Sequence, residues 1–344
     1  MMKRSLRLVA SFGLAVVFLY LFFRRLDLSE ILAHVRQARP EWLFVAVIMQ
    51  GLHLTLRSLR WGVLLTPIKK HPRFYNLFST TAIGYLLSFA LFRVGEVVRP
   101  LMLGQREGIS KTGTMATCLL ERLMDFFTVA SLLGFYMVFR FDPATASTGG
   151  LDLAWIRGAG LVFGLGTLAC FPLLYVMIHY RQRLFESLDR SKVLGALLPR
   201  LLHSFLGGFD AVRGGRIFSL AWAYSLAIWL SIAGSIWASL EAFDLGIGYA
   251  DSLLMLALLT FGVAVPTPGA VGSFEYLGKL GLVEVFAVES NRAAAAILVT
   301  HVFAIGPVIL AGIVLLWKDG LSFRGLTQVE TEAPVSSSVA GAGR

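Results

Sequence analysis

Residues 293–317, AAAAILVTHVFAIGPVILAGIVLLW, run without a lysine, arginine or carboxylate for more than the length that crosses a bilayer, about 20 helical residues. Residues 217–240, IFSLAWAYSLAIWLSIAGSIWASL, repeat the character. In hydrocarbon the backbone must satisfy its own polar groups, so such runs fold as helices. The chain is 56% hydrophobic and 15% charged, against about 45–50% and about 25% in globular domains. Apolar segments cover most of the 344 residues and leave no room for a sizeable soluble catalytic domain. The sequence predicts an all-α, polytopic membrane helical bundle.

The formal charge is +10, and the basic residues lie beside apolar segments. That pattern points to topology signals and anionic lipid, and away from nucleic acid. Segments 57–73 and 180–216 are rich in lysine and arginine and are expected to be cytoplasmic, while 140–157 and 241–251 are expected to face outward. Residues 24–41 fit the rule poorly and are read as an outer amphipathic surface helix. The N-terminal apolar run has no small-residue cleavage site and is followed by Arg24 and Arg25, so it is read as a retained helix. Cys118 and Cys170 lie in apolar segments and suggest neither a disulfide framework nor a metal site.

Full spans are expected near 8–23, 42–60, 114–139, 158–179, 217–240 and 293–317, six in all. Residues 77–109 and 252–288 are different: each has two apolar arms around a break, FRVGEVVRP (92–100) and AVPTPGAVGSFEY (264–276). Read as re-entrant hairpins, they return to the side they left, and the charge rule holds throughout. The outcome is one domain over 1–320, built of two units of opposite orientation, about 5–139 and 156–317, with a flexible tail at 321–344. Inverted repeats with broken helices are a transporter architecture, and the breaks mark the binding site. The plainer alternative makes 77–109 one span with an interfacial loop.

Irregular backbone at membrane depth survives only where protein or a wet cavity satisfies it. Pro266 and Pro268 stop a helix, Gly269 and Gly272 permit a reversal, and a new helix is expected from about Gly272. Its free N–H groups could meet an anion. Glu275 falls in its first turn, with Lys279 four residues on, in the order that favours an ion pair. A capped helix with a local pair, and a functional carboxylate, are both open for Glu275. In the first break, Arg93, Glu96 and Arg99 are spaced by threes on one helical face, and Gly95 and Pro100 flank the glutamate. Two guanidiniums and one carboxylate leave a positive site whose forks suit phosphate, one arginine held by Glu96 and the other free for ligand. As a plain cytoplasmic loop the same charges would be solvated.

The run LLERLMDFF places Glu121, Arg122 and Asp125 inside a span, where charges face the bundle interior and pair. An Arg122–Asp125 pair would leave Glu121 as a partner for Arg93 or Arg99, or as a protonatable group. Arg57 and Arg60, in TLRSLRW, are explained by snorkelling to headgroups. His53 and His301 each sit alone on an apolar helix, which favours packing with one hydrogen bond over ligation. No P-loop, H-E-x-x-H, Ser/His/Asp or paired-cysteine pattern occurs. No cofactor and no metal is expected.

LRW, RVGEVVRP, ERLMD and PTPGAVGSFE occur in that order. The set resembles the flippase-like membrane domain of the lysylphosphatidylglycerol synthase superfamily, including its stand-alone members, over about residues 5–320. The resemblance implies transfer of a phosphate-headgroup lipid between leaflets. Two-domain members are implicated in moving an aminoacylated phospholipid that a soluble domain makes, and some stand-alone relatives are associated with hopanoid pathways. That soluble domain is not expected here, and synthase activity is not carried over. Carried over by position as candidate substrate-binding residues are Arg93, Glu96, Arg99, Glu121, Arg122, Asp125, Pro268, Gly269, Gly272 and Glu275. One departure is Ala270, where the family commonly has a second glycine.

The expectation is therefore a lipid translocator in the cell membrane with both termini cytoplasmic. The alternatives are an integral-membrane transferase using a polyprenyl-phosphate donor and a scaffold for lipid biosynthesis. Expected partners are membrane lipids, with lipid-biosynthesis enzymes as candidate protein partners.

Overall fold

The computed structural model describes residues 2–90, 94–140 and 215–321, with a few positions between 158 and 167, and side chains from Ala10 onward. Every regular element among them is helical: α1 Met2–Phe23, α2 Leu28–Gln37, α3 Pro40–Leu65, α4 Phe74–Ala90, α5 Val94–Glu107, α6 Lys111–Phe139, α7 Gly215–Glu241, α8 Ser252–Ala264, α9 Ser273–Glu284 and α10 Ser290–Lys318, with a 3-10 turn at Pro268–Ala270. The expected span 158–179 falls largely outside the described residues.

Four helices, α3, α6, α7 and α10, are long and apolar enough to cross a membrane. Ala10–Phe23 of α1 and all of α8 are shorter apolar helices. Local chemistry sets the ends. Asp27 accepts from the Ser29 and Glu30 amides to start α2, and Glu289 accepts from those of Asn291 and Arg292 to start α10. Gly108 and Gly320, both at φ +64°, end α5 and α10 in the left-handed region. The helix expected within 24–41 is α2; it buries Ile31 and packs against α10.

The two broken segments fold as helical hairpins, α4 on α5 and α8 on α9. Bare glycines let them close. A Cβ on Gly95 would lie 1.7 Å from the Gly84 carbonyl oxygen, and one on Gly262 would lie 2.9 Å from Phe274 Cα. On its other side α4 meets α10, where a Cβ on Gly312 would lie 2.8 Å from the Ala82 carbonyl oxygen. Helices α3 and α7 pack together along much of their length, and α10 packs against α2, α3, α4, α7 and α9. The 3-10 turn of the second break touches α1, α4 and α8.

Candidate functional site

Gln50, His53, Arg57 and Arg60 recur on α3 at intervals of three and four, which puts them on one helical stripe. Glu121 and Asp125, one turn apart on α6, face that stripe. Arg57 Nη1 lies 2.8 Å from Asp125 Oδ2, and Arg60 Nη1 lies 2.7 Å from Asp125 Oδ1. Arg60 Nη2 reaches Glu121 Oε1 at 3.3 Å. From α5, Arg99 Nη1 stands 3.0 Å from Glu121 Oε2, and its guanidinium stacks 3.9 Å over the Trp61 ring. From α7, Trp229 Nε1 donates to Asp125 Oδ1 at 3.2 Å, and Ser225 Oγ accepts from Arg60 at 2.8 Å.

A polar chain continues from this network along α3. Arg57 Nε donates to His53 Nε2 at 3.3 Å, so His53 Nδ1 carries the proton that meets Gln50 Oε1 at 3.0 Å. Gln50 Nε2 donates to Ser235 Oγ on α7 at 3.3 Å. Ser235 Oγ in turn donates to the Ala46 carbonyl at 3.1 Å.

Arg57 is 2% exposed, and Arg60 and Glu121 are fully buried. Burying charges costs several kcal/mol per ion, and apolar residues of similar volume often stabilise more. Stability alone is therefore a weak reason for such a network in a membrane bundle, where interior ionisable residues mark substrate paths. Its charge is unbalanced. Among the described residues, Arg57, Arg60, Arg99 and Arg122 form ion pairs with Glu121 and Asp125 alone, four positive groups against two negative. Among the described residues, Arg60 Nε and Arg99 Nε and Nη2 are buried donors without a hydrogen-bond acceptor, and Glu121 Oε2 is a buried acceptor without a hydrogen-bond donor. A planar fork with unspent donors in a positive interior site suits a phosphate or carboxylate.

The expected site residues divide into two groups. Arg99, Glu121 and Asp125 come together in the network. Arg122 sits at its edge, with its side chain 41% exposed and Nη1 3.7 Å from Asp125. Arg122 is therefore a secondary partner of Asp125, whose main partners are Arg57 and Arg60. Arg93 lies outside the described residues. Glu96 is exposed on α5 while Arg99 is buried, so the expected grip of Glu96 on an arginine of the first break gives way, for Arg99, to Glu121. The snorkelling expected of Arg57 and Arg60 is also corrected: carboxylates on the facing helix draw both inward. Gln50, Ser225 and Trp229 were not singled out from the sequence, and Trp61 entered only as part of the LRW motif.

The second break holds Pro268, Gly269, Gly272 and Glu275. Gly269 and Ala270 lie at φ +61° and +58°, and Gly272 at φ +88°. Gly272 caps α9, as the sequence predicts, but its N–H donates to Glu275 Oε2 at 2.6 Å, so Glu275 itself satisfies the helix start. The other Glu275 oxygen meets His301 Nδ1 on α10. The expected Glu275–Lys279 pair does not form, because Lys279 Nζ bonds the Phe22 carbonyl of α1. The two groups share α4 as a wall. Its Gly84 bears on the Arg99 stem, where a Cβ would lie 2.8 Å from Arg99 Cβ, and α4 also carries the 3-10 turn of the second break.

The chain is similar to Glycosyltransferase AglD of Haloferax volcanii, 24% identical over an alignment covering 96% of this chain and 57% of AglD. This chain thus spans a little over half of that relative's length. It is also similar to a UPF0104 membrane protein of Methanocaldococcus jannaschii, 24% identical over 91% of this chain and 94% of the relative. The family described as the lysylphosphatidylglycerol synthase TM region matches residues 8–312. With that match running through both hairpins and all four long apolar helices, the chain is a multi-pass membrane protein and belongs to the lysylphosphatidylglycerol synthase TM-region family.

Proposed function

We propose that this protein moves a phosphate-headgroup lipid, anionic or zwitterionic, between membrane leaflets. The observation that carries this is the buried, net-positive arginine network with unspent donors on Arg99 and Arg60. The headgroup would dock on Arg99 while the acyl chains stay in the bilayer, and the second break would form the opposite gate. Lipids are the partners that this requires. The location would be the cell membrane, with both termini cytoplasmic.

An inverted repeat within a single domain of about 1–320, with two re-entrant hairpins, fits this function. Its support is the matched packing of the two halves: α3–α4 with α7–α8, α4–α5 with α8–α9, α5–α6 with α9–α10, and α4–α10 with α8–α6. Alternating access around a shared central site is the motion that such symmetry permits.

A transferase using a polyprenyl-phosphate donor is the second reading, favoured by the glycosyltransferase name of one relative. It calls for a free carboxylate as base, whereas Glu121 and Asp125 are both held by guanidiniums. Reconstitution in liposomes with labelled phosphatidylglycerol separates the two. Leaflet exchange that depends on Arg99 is expected; chemical modification of the lipid without exchange would favour the transferase.

A further inference from the structure

Glu275 and His301 form a second buried ionisable site, apart from the arginines. They are 4% and 8% exposed. One carboxylate oxygen is fixed by the Gly272 amide and the other by His301 Nδ1. The imidazole is stacked on Phe274 with centroids 4.3 Å apart and planes 22° from parallel. The pair has two charge states one proton apart. With a neutral ring, Nδ1–H donates to the carboxylate and the pair carries −1. With a second proton on Nε2, imidazolium and carboxylate cancel. Histidine is the side chain whose ordinary titration falls in the physiological range. In apolar surroundings the neutral pair is favoured by burial, while the α9 start and the Gly272 amide favour the negative one.

Few other titratable groups surround the pair among the described residues. On α9, Lys279 is spent on the Phe22 carbonyl, Tyr276 packs on Phe18, and Glu284 lies in the last turn. Helix α8 has none, and the described side chains of α1 add Tyr20. Helix α4 adds Tyr75, bonded to Asp319, and Tyr85, beside Arg57. On α10 itself, Arg292 is bonded to the Phe243 carbonyl and Lys318 lies over Tyr75. The remaining helices on α10 bring Glu30, His34 and Arg36 on α2, Arg216, Tyr224 and Glu241 on α7, and Glu41 and the His53–Arg57–Arg60 group on α3.

We propose that the Glu275–His301 pair is a proton-binding site, and that proton binding there is linked to occupation of the arginine network by a phosphate headgroup. The proposal rests on the translocator function above. The link has an electrostatic cause: in a low-dielectric interior, an added anion favours the state of the pair that carries no net charge. Linkage is reciprocal, so a protonated pair favours the bound headgroup to the same degree. It also has a structural path, since the turn beside Glu275 packs on α4 and α4 packs on Arg99. A proton entering with the headgroup and leaving on the other side would supply direction.

The test uses the full chain in liposomes of phosphatidylcholine and phosphatidylglycerol, with a fluorescent phosphatidylglycerol and a pH dye trapped inside. An acid exterior should raise leaflet exchange several-fold over equal pH on both sides, with proton entry. His301→Gln should abolish the acceleration and the proton entry together. Acceleration that persists in His301→Gln, or exchange in the wild type that ignores the gradient, overturns the coupling. No exchange in the wild type under any gradient overturns the translocator function. Histidine NMR in detergent then decides the proton site alone. The ring signal missing from His301→Gln should change with pH, and that response should move when Glu275→Gln removes the carboxylate and when phosphatidylglycerol is added. A ring signal that ignores pH, the carboxylate and the lipid alike overturns the site.

Discussion

Arg60 and Asp125 meet at 2.7 Å across 65 residues of sequence, the guanidinium sealed from solvent and the carboxylate nearly so. The contact joins α3 to α6, and Asp125 at the same time holds Arg57 and accepts from Trp229 on α7. One carboxylate thus ties three helices of the bundle together.

Asp125→Ala leaves Arg57 and Arg60 buried without that anion. It should lower stability by about 3–5 kcal/mol, the usual cost of breaking a buried pair from one side. Thermal unfolding in detergent measures it.

Arg99→Lys keeps a positive charge near Glu121 but loses the planar fork and its stack on Trp61. Leaflet exchange should fall about ten- to a hundredfold, the range of one lost hydrogen bond to a charged group. Retained rates at equal protein levels would remove Arg99 from headgroup binding.

Double-mutant cycles should separate the two neighbours of Glu275. Glu275→Gln with Lys279→Met should add within about 0.5 kcal/mol, since the two side chains hold different partners. Glu275→Gln with His301→Gln should show a coupling of about 0.5–3 kcal/mol.

At the base of the first hairpin, burial pushes the Glu107 carboxyl up, but contacts from Lys69, Asn76 and the Arg73 amide outweigh it and hold it below the ordinary value. Asp319 is held low in the same way: burial opposes, and Ser79, Tyr75 and Arg106 prevail. A lowered carboxyl adds stability above its unfolded value, about 4, and loses it as pH falls through the folded one. Melting temperature should therefore drop on acidification below about pH 4, and Glu107→Gln with Asp319→Asn should flatten that limb.

Gly95→Ala would put a methyl where the Gly84 carbonyl stands. Backbone cannot rotate aside, so the cost should exceed the about 1–3 kcal/mol of ordinary overpacking. Size-exclusion profiles and melting temperature should both report a loosened hairpin, whereas Gly51→Ala, which meets nothing within 4 Å, should leave them unchanged.

The helical membrane class and the place of the second break are legible in the sequence, because apolar length and Pro/Gly punctuation are local properties; of the expected first break, 94–100 instead form the start of α5, with Pro100 inside the helix. Glu121 and Asp125 of α6 are also legible as interior charges. Arg57 and Arg60 are not: an arginine in the last few turns of a spanning helix snorkels or turns inward according to what the next helix offers, and Glu121 and Asp125 are more than 60 residues away. The periodic Gln50, His53, Arg57, Arg60 stripe was the available signal. Glu275 and Lys279 mislead in the opposite way. Their spacing suits a pair, but Gly272 and His301 take the carboxylate first, and His301 comes from another helix.

Helix α4 has a consequence of its own. Where it meets α5 at Gly84 and Gly95, and α10 at Ala82 and Gly312, backbone comes close to backbone, and Ile83, Leu86 and Leu87 pack beside these points against Val98, Met102 and Leu316. Backbones this close resist tilting and prying apart, so the displacement of α4 that they leave open is a short slide along its own length, a shear between rails. Arg99 rides on one rail and the turn at Pro268–Ala270 rests against the sliding piece. A slide short enough to keep both seams closed would still shift the two ends of the polar interior at once.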